Sequence, residues 1–423
     1  MKRIIGVDEK VSPKMLIPLS IQHTFAMFGA SVLVPIVLGI NPSIVLLMNG
    51  IGTLLFILIT KRKAPAYLGS SFAFLGPATI IIGQSGFRYA QGAFVAIGLI
   101  GCILAYIIYK FGTDWIDVVL PPAAMGSVVS LIGFELAQAT VSGGKIGANI
   151  MTDTRTTNDL IVFLVTLSVA ILGSVLFKKF LATIPILIAI ITGYIVSVAL
   201  KMVDFTPVMQ ASLFTLPKFQ LPIFDLKSII TMLPVILVIT SEHISHQVVT
   251  SNIIGRDLLK EPGLHRSIFA DNFSTALSGF IGGVPTTTYG ENIGVMAITK
   301  VYSVYVIAGA ACISILMAFI GPLSALISSI PGNVIGGVTF LLYGMIGTSG
   351  IRLLVDQKVD YSQSKNLILT SVIFVTGLSG LKINFLGVSL SGMVLASVVA
   401  VVLSLLFYVF DRMGIMNIFL LRQ

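Results

Sequence analysis

The sequence predicts an all-α polytopic membrane protein with fourteen transmembrane segments in two inverted seven-segment repeats. Three observations predict this fold: an extremely apolar composition, a regular succession of apolar segments, and weak echoes between the two halves of the chain. Of the 423 residues, 56% are hydrophobic and only 10% are charged, and the mean hydropathy is +1.02. Soluble domains carry roughly 25% charged residues, so most of this chain is expected to lie in lipid.

Polar residues and Pro/Gly breaks divide the chain into segments of the length that a spanning helix needs, about 20 residues. The first seven segments are expected near residues 15–39, 43–60, 66–83, 90–109, 119–139, 159–177 and 181–203. After a loop at 204–226, the second seven are expected near 227–250, 266–284, 286–300, 302–328, 330–348, 364–381 and 388–410. No small-residue cleavage site follows the first segment, so a removable signal peptide is not expected.

The basic residues are distributed unequally between the two membrane faces. With an even number of spans, the two termini and the even-numbered loops share one face, which holds 19 of the 26 Lys and Arg residues. By the positive-inside rule, both termini are expected to be cytoplasmic. The net charge of +9 is therefore attributed to topology, and no nucleic-acid partner is expected.

The two halves of the chain resemble each other at matching places. The pair Gln22-His23 corresponds to Glu242-His243 at an offset of 220, and P-x-x-x-x-G-S-V-V at 121–129 parallels P-x-x-x-x-G-G-V-T at 331–339. Because seven is odd, a duplicated seven-segment unit enters the membrane the second time in the opposite sense. Such inverted repeats are common in secondary transporters, whose sites lie near the midplane where broken helices meet.

The third and tenth segments, which occupy matching places, are interrupted by Gly and Pro. Each has a short β-favouring piece, S-S-F-A-F at 70–74 and T-T-T-Y at 286–289, ahead of a short helical piece. Irregular backbone at membrane depth must be covered by protein or line a cavity, where its polar groups and the half-helix dipole are available to a ligand. Ordinary kinked helices with glycine-mediated packing are the alternative.

Seven ionisable side chains fall clearly inside the expected segments and not at their ends, and a charge there costs about 3 kcal/mol or more. They are His23, Glu135, Glu242, His243, His246, Asp271 and Glu291. Glu242 and His246 lie four residues apart on one helix face, whereas His243 is rotated by about 100° from Glu242. The first two predict proton-linked chemistry or, alternatively, a satisfied polar pair between helices. Glu291 lies where the helical piece of the tenth segment should begin, either as a site carboxylate or as a helix-capping acid.

The remaining polar features are expected to be structural. His23 and Asp271 are interpreted as hydrogen-bonded packing elements, and Glu135 lies near the outer end of the fifth segment, within reach of solvent. The run E-H-I-S-H differs from the zinc motif H-E-x-x-H in the order and spacing of its residues, so no metal site is predicted. Cys102 and Cys312 are expected to be small buried side chains.

The run E-N-I-G-V-M-A-I-T-K at 291–300 resembles the signature of the nucleobase-cation symporter family, also called nucleobase-ascorbate transporters. The resemblance covers nearly the whole chain, including Q-H-T-F-A-M-F-G-A at 22–30, P-A-Y-L-G-S-S-F-A-F at 65–74 and P-G-L-H-R-S-I-F-A at 262–270. The run Y-G-E-N-I-G at 289–294 favours the uracil-transporting members over purine permeases, which usually carry Gln at the position of Glu291.

The resemblance implies a core domain (1–110 and 227–328) and a gate domain (111–226 and 329–423), with homodimers formed through the gate domains. It implies a secondary active transporter, not an enzyme, that imports uracil by proton symport across the bacterial plasma membrane without a cofactor. Transport of xanthine or urate is the alternative, and anion exchange by the same architecture is a more distant one.

The resemblance also implies roles for particular residues. Substrate binding is assigned to Glu242, Glu291, Phe72, Gly290, Tyr289, Ser71 and Tyr343, and proton coupling to His246 together with the two glutamates. Uracil has ring N–H donors and carbonyl acceptors, which match carboxylates and the backbone N–H groups of Phe72 and Gly290. Ser245 and Ser241 depart from the family pattern, which has Gly and Ala there, but neither change removes a proposed ligand.

Overall fold

The computed structural model describes residues 4–142, 147–178, 181–385 and 388–414, and this part of the chain is largely helical. The elements of the first half are α1 (Pro13–Leu38), α2 (Pro42–Ile59), β1 (Leu68–Ser70), α3 (Leu75–Ser85), α4 (Phe87–Phe111), α5 (Asp114–Val119), α6 (Pro122–Leu136), α7 (Thr157–Leu176), α8 (Pro185–Ala199) and α9 (Thr206–Met209). Those of the second half are α10 (Leu226–Met232), α11 (Val235–Ile254), α12 (Leu264–Ile281), β2 (Thr286–Thr288), α13 (Gly290–Thr299), α14 (Val304–Ala318), α15 (Gly321–Ser328), α16 (Gly332–Asp356), α17 (Ser364–Leu378), β3 (Lys382–Phe385), β4 (Val388–Ser391) and α18 (Gly392–Arg412).

Each expected segment coincides with a helix or a broken helix, but three details differ from the expectation. The eighth segment is divided at Pro234 into α10 and α11, the eleventh is divided between α14 and α15, and β3 and β4 form an unexpected hairpin. Within the described residues, seven helical stretches are long and apolar enough to cross a membrane, and several others are shorter. A multi-pass membrane protein is thereby confirmed, while the number fourteen remains a prediction.

The third and tenth segments meet as a two-stranded antiparallel ribbon, which confirms the β piece expected at 286–289. The piece expected at 70–74 was placed wrongly, because the strand is Leu68–Ser70 and Phe72–Phe74 is a helical turn. Its register pairs Leu68 with Thr288 and Ser70 with Thr286. A two-stranded ribbon leaves outward-facing backbone groups that must find partners at membrane depth. The hydroxyl of Thr53 in α2 accepts from the N–H of Leu68 (2.9 Å) and donates to the carbonyl of Asn49 (2.7 Å), and its oxygen lies 3.4 Å from the Leu68 carbonyl.

The second strand is held in the same way. The hydroxyl of Thr275 in α12 accepts from the N–H of Thr286 (3.1 Å) and donates to its carbonyl (2.8 Å). In each strand, the N–H of the first residue thus donates to a threonine hydroxyl of the helix that precedes it. This repetition is a structural trace of the inverted duplication.

The helices pack in two groups. In one, α4 packs on α12, and α14 packs on α1 and α2; in the other, α6 packs on α16, α17 and α18, and α7 packs on α8 and α16. The first group consists of helices assigned to the core and the second of helices assigned to the gate. The residue boundaries of these two domains stay a prediction.

An even number of spans places several loops on one membrane face, and ion pairs connect these loops to one another. Asp8 in the N-terminal segment pairs with Arg256 at 2.7 Å, and Lys63 after α2 pairs with Glu261 before α12. The hydrogen bond and positive charge of Lys63 lower the pKa of the Glu261 carboxyl below its usual range. The contact is therefore present at neutral pH and is lost as the pH falls through that lowered pKa.

Close backbone packing joins α6 to α16. A Cβ atom added at Gly133 would lie 2.1 Å from the carbonyl oxygen of Tyr343 and 2.4 Å from the amide nitrogen of Gly347. Because both neighbours are backbone atoms, neither can rotate away, so the two helices can approach this closely only with glycine at 133.

We predict that Gly133→Ala lowers the free energy of unfolding by about 1–3 kcal/mol, because an inserted methyl group overpacks the contact. Gly344→Ala, in α16 itself, is the matched control, since a Cβ there meets no atom within 4 Å. Thermal unfolding of both variants in detergent measures the difference. Equal melting temperatures for the two variants would contradict the proposed packing constraint.

Candidate functional site

Each strand of the ribbon leads into a helical piece whose first turn is left uncapped. The single turn Phe72–Phe74 and then α3 follow β1, while α13 follows β2 and starts at Gly290. Ser71 and Tyr289 occupy the N-cap positions, and neither makes a side-chain cap bond. First-turn N–H groups have no acceptor within their own helix, and the helix dipole makes them a binding site for electronegative atoms.

The antiparallel register places these two helix starts at opposite ends of the ribbon. Tyr289 fixes the space between them, because its backbone N–H donates to the carbonyl of Tyr67 (3.2 Å) and its hydroxyl donates to the carbonyl of Ser70 (3.1 Å). A Cβ atom at Gly69 would lie 2.1 Å from the Tyr289 ring. The ring therefore packs directly on the strand backbone, and Tyr289 is buried.

Helix α11 approaches the ribbon through His246. Its Nδ1 atom lies 3.0 Å from the hydroxyl oxygen of Thr288, and its Nε2 atom would lie 3.5 Å from a Cβ at Gly290. The expected direct contact between Glu242 and His246 is not formed: among the described residues, His246 pairs with Thr288 instead. The imidazole thus links α11 to the end of β2, one turn of helix away from Glu242.

Three carboxylates lie near one another around this point. Glu291 is exposed on the first turn of α13, Glu242 is half-buried on α11, and Asp271 is buried in α12. Helix α11, which carries Glu242, packs against both α12 and α13. Repulsion among such groups is relieved when one of them binds a proton or a hydrogen-bond donor.

His243 and Asp271 have the structural role that the sequence predicted. The His243 side chain is 1% exposed, its Nδ1 atom lies 3.4 Å from Asp271 Oδ2, and its ring packs edge-on against Phe56. Asp271 Oδ2 also accepts from the Thr287 hydroxyl at 3.4 Å. This pair therefore positions β2, because Asp271 contacts both His243 and Thr287 of the strand. His243 faces away from the side of α11 that carries Glu242.

On the other side of the ribbon, Phe72 packs against Tyr343 of α16. The two ring centroids are 6.4 Å apart and the ring planes are inclined at 78°. Tyr343 is buried. This contact joins the end of the first strand to a helix of the second packing group.

The sequence did not identify two further residues that position the site. Thr288 is the partner of His246, and Asn292 lies with its Oδ1 atom 3.1 Å from Nδ1 of the buried His23, which holds the first turn of α13 against α1. Both lie in the run T-T-T-Y-G-E-N, whose density of polar residues in an apolar segment was the available signal.

The remaining polar residues lie away from this site. Glu135 accepts from the backbone N–H of Met393 at 2.8 Å, so it caps the start of α18. Cys102 is half-buried, but Cys312 is exposed, so the expectation of burial was wrong for Cys312, which lies on the outward face of α14. Within the described part of the chain, no group of three or more His, Cys, Asp or Glu residues forms a candidate metal site.

Comparisons with known proteins agree with this architecture. A family model described as "Permease family" matches residues 14–386. The chain is 52% identical over 408 residues to "Uracil permease" of Escherichia coli (strain K12), covering 96% of this chain and 94% of that protein. It is 48% identical over 413 residues to "Uracil permease" of Paenibacillus larvae, covering 97% and 98%.

Solved structures give the fold. The transmembrane domain of the cyanobacterium bicarbonate transporter BicA matches with a TM-score of 0.65 at 15% identity, covering 95% of this chain and all of that one. Murine Solute Carrier 26 family member A9, an anion transporter, matches with a TM-score of 0.72 at 10% identity, covering 95% and 70%. These likenesses confirm the inverted-repeat transporter fold, while the count of fourteen segments stays a prediction. Together with the family match, they establish that the chain belongs to the permease family, the nucleobase-ascorbate transporters, and is a membrane transporter and not an enzyme.

Proposed function

We propose that this protein imports uracil across the bacterial plasma membrane by symport with protons. The observation that carries the proposal is that His246 of α11, one helical turn from Glu242, reaches Thr288 and Gly290 at the start of α13, the helix that carries Glu291. The names of the relatives that are 45–52% identical over nearly the whole chain support uracil as the substrate.

The chemistry of uracil fits this arrangement. Its ring N–H groups require acceptors, which the carboxylates of Glu242 and Glu291 supply, and its carbonyl oxygens require donors, which the backbone N–H groups of Phe72 and Gly290 supply. The hydroxyl of Ser71 is buried and has no hydrogen-bond partner within the described part of the chain. A polar ligand beside β1 would satisfy that hydroxyl.

Two aromatic residues complete the proposed site. The Tyr289 ring packs against the ribbon and lines one side of the proposed site. Tyr343 of α16, which contacts Phe72, lines another side. A planar base gains affinity from burial between such rings in addition to its hydrogen bonds.

Proton coupling is proposed because uracil is largely neutral at cellular pH and a neutral solute gains nothing from the membrane potential. A coupled proton contributes about 2.3 kcal/mol per 100 mV. Binding of a proton by Glu242, Glu291 or His246 reduces the unpaired charge around the site, and a bound uracil supplies donors to the same carboxylates. Both ligands thereby favour the same closed state, which is the requirement for coupling.

The acidic surroundings argue against anion exchange, although the fold is that of anion transporters. Glu242, Glu291 and Asp271 would repel an anion. Xanthine or urate transport remains the second candidate within the family, and the glutamate at position 291 is what favours uracil.

We further propose a homodimer formed through the gate domains, with both termini in the cytoplasm. The exposed faces of α17 and α18 are apolar, with side chains such as Val375, Leu378, Val402 and Phe410. Such faces suit either lipid or a second copy. Chemical crosslinking in native membranes, followed by size analysis, tests the dimer.

Our first functional prediction concerns the two glutamates. Glu242→Gln and Glu291→Gln are each expected to weaken uracil binding roughly 10- to 150-fold, because a hydrogen bond to a charged group contributes about 1.5–3 kcal/mol. Uptake of labelled uracil into proteoliposomes with an imposed pH gradient measures the effect, and Asp356→Asn, at an exposed site, is the control. Normal transport by both glutamate variants, together with uptake that ignores the gradient, would refute the mechanism.

A second prediction separates coupling from binding. His246→Ala is expected to abolish accumulation driven by the pH gradient while retaining exchange of internal for external uracil, because exchange needs no net proton movement. His265→Ala, which removes a histidine that packs against Tyr109 with the ring planes inclined at 51°, is the control. Equal losses of exchange and of accumulation in the His246 variant would assign this residue to binding alone.

A third prediction concerns substrate choice. Unlabelled uracil is expected to compete with labelled uracil at least tenfold more effectively than xanthine, because the larger purine does not match the donor and acceptor pattern at Glu291. Competition curves in the same vesicles measure this ratio. Stronger inhibition by xanthine would favour the purine alternative.

A further inference from the structure

Residues 205–224 connect the two repeats and cross the ends of three helices, to which their backbone groups are hydrogen-bonded. We refer to these residues as the inter-repeat strap. Its hydrogen bonds reach the end of α14, the end of α12 and the start of α4: Thr215 N to Phe319 O (3.0 Å), Gln220 N to Ile281 O (3.1 Å) and Ile223 N to Arg88 O (2.9 Å). The strap therefore follows the rim of the helix bundle and is not a free loop.

Side chains strengthen this attachment. Arg88 Nε donates to the carbonyl of Leu221 at 3.0 Å, and the amide of Gln91 donates to the carbonyl of Gln220 at 2.9 Å. The Phe214 ring stacks on Phe319 with centroids 5.6 Å apart. The backbone polar groups of the strap are thus directed towards the helices.

The side chains that point outward are large and apolar. Six of them are at least 60% exposed: Met209, Leu213, Phe214, Leu216, Phe219 and Leu221. Residues 206–224 contain a single charged group, the Lys218 ammonium. An aqueous loop of this length would normally carry more charge and expose far less apolar surface.

The position of the strap indicates what covers it. It lies at the ends of α4, α12 and α14, on the membrane face opposite the one that holds the N-terminal segment, and its apolar surface is continuous with lipid-facing residues of these helices, such as Leu316 and Phe280. The exposed apolar side chains recur along the strap from Met209 to Leu221, beside helix ends whose own exposed side chains are apolar, as contact with lipid requires.

We propose that the inter-repeat strap is a lipid-docking element that lies in the interface of the adjacent leaflet. Its apolar side chains enter the boundary between headgroups and acyl chains to a depth of about 5–10 Å. The ammonium of Lys218 and that of Lys227, just after the strap, lie where lipid phosphates are found. The strap thereby fixes the depth of the helix ends to which it is bonded.

The single tryptophan, Trp115, makes a direct test available. In a Trp115→Phe background, Phe219→Trp and Leu216→Trp place one fluorophore on the strap, with uracil uptake as the check of folding. Met151→Trp, at an exposed position of the polar loop on the same membrane face, and Ile103→Trp, on the exposed surface of α4, are the aqueous and lipid controls. The variants are reconstituted in vesicles of phosphatidylcholine brominated near the top or near the middle of its acyl chains.

We expect both strap variants to emit at shorter wavelength than Met151→Trp, to resist quenching by iodide, and to be quenched more by shallow than by deep bromines. Ile103→Trp should be quenched more by deep bromines. If both strap variants match Met151→Trp in iodide and bromine quenching, the strap lies in water and the proposal is wrong. Protection from iodide without bromine quenching would also overturn it, because a protein surface would then cover the strap.

Discussion

The structure depends on the need to pair every backbone N–H and C=O group at membrane depth. Two spans are broken, and each break releases polar groups that hydrocarbon cannot satisfy. The two broken pieces satisfy part of this demand by pairing with each other as a ribbon. Thr53 and Thr275 bond the outward groups of Leu68 and Thr286. The first-turn N–H groups of the helical pieces that follow the strands have no acceptor within their own helix, and in the proposed site a polar substrate accepts from them.

The duplication explains the scaffold but not the chemistry. Both strands are held by a threonine in the same manner, yet only the second leads to a carboxylate, Glu291, and is contacted by a histidine, His246. The first leads instead to Phe72 and to the Ser71 hydroxyl, which has no hydrogen-bond partner among the residues that the structure describes. A symmetric frame thus presents carboxylate acceptors at one end and hydroxyl, aromatic and amide groups at the other. A base with donors on one edge and acceptors on another fits such an asymmetric pair of ends.

Much of the fold was predictable because lipid imposes a strong pattern on sequence. Apolar length predicted the segments, and Gly, Pro and β-favouring residues predicted both breaks. The ribbon register was not predictable, since it depends on tertiary contacts between residues more than 200 positions apart. Helix periodicity correctly separated His243 from Glu242 but could not show that Thr288, from another segment, takes His246 as its partner. The β3–β4 hairpin was missed because its apolar run resembles a helix end.

The contacts within and between the two packing groups differ in kind. Within the second group, Gly133 of α6 contacts backbone atoms of α16, and backbone atoms cannot rotate away as a side chain can. Within the first, the ribbon and the inter-repeat strap are fixed by backbone hydrogen bonds. Between the groups, Phe72 meets Tyr343 through ring edges 6.4 Å apart, an interaction of about 0.5–1.5 kcal/mol. Other side-chain contacts also join the groups: Gly29 of α1 packs against the Ile186 side chain of α8, and one hydrophobic cluster contains buried residues of both groups, such as Val32 and Val128. The proposed substrate site lies at this boundary, where side chains and not backbone atoms make the contacts, so that one group can shift against the other by repacking.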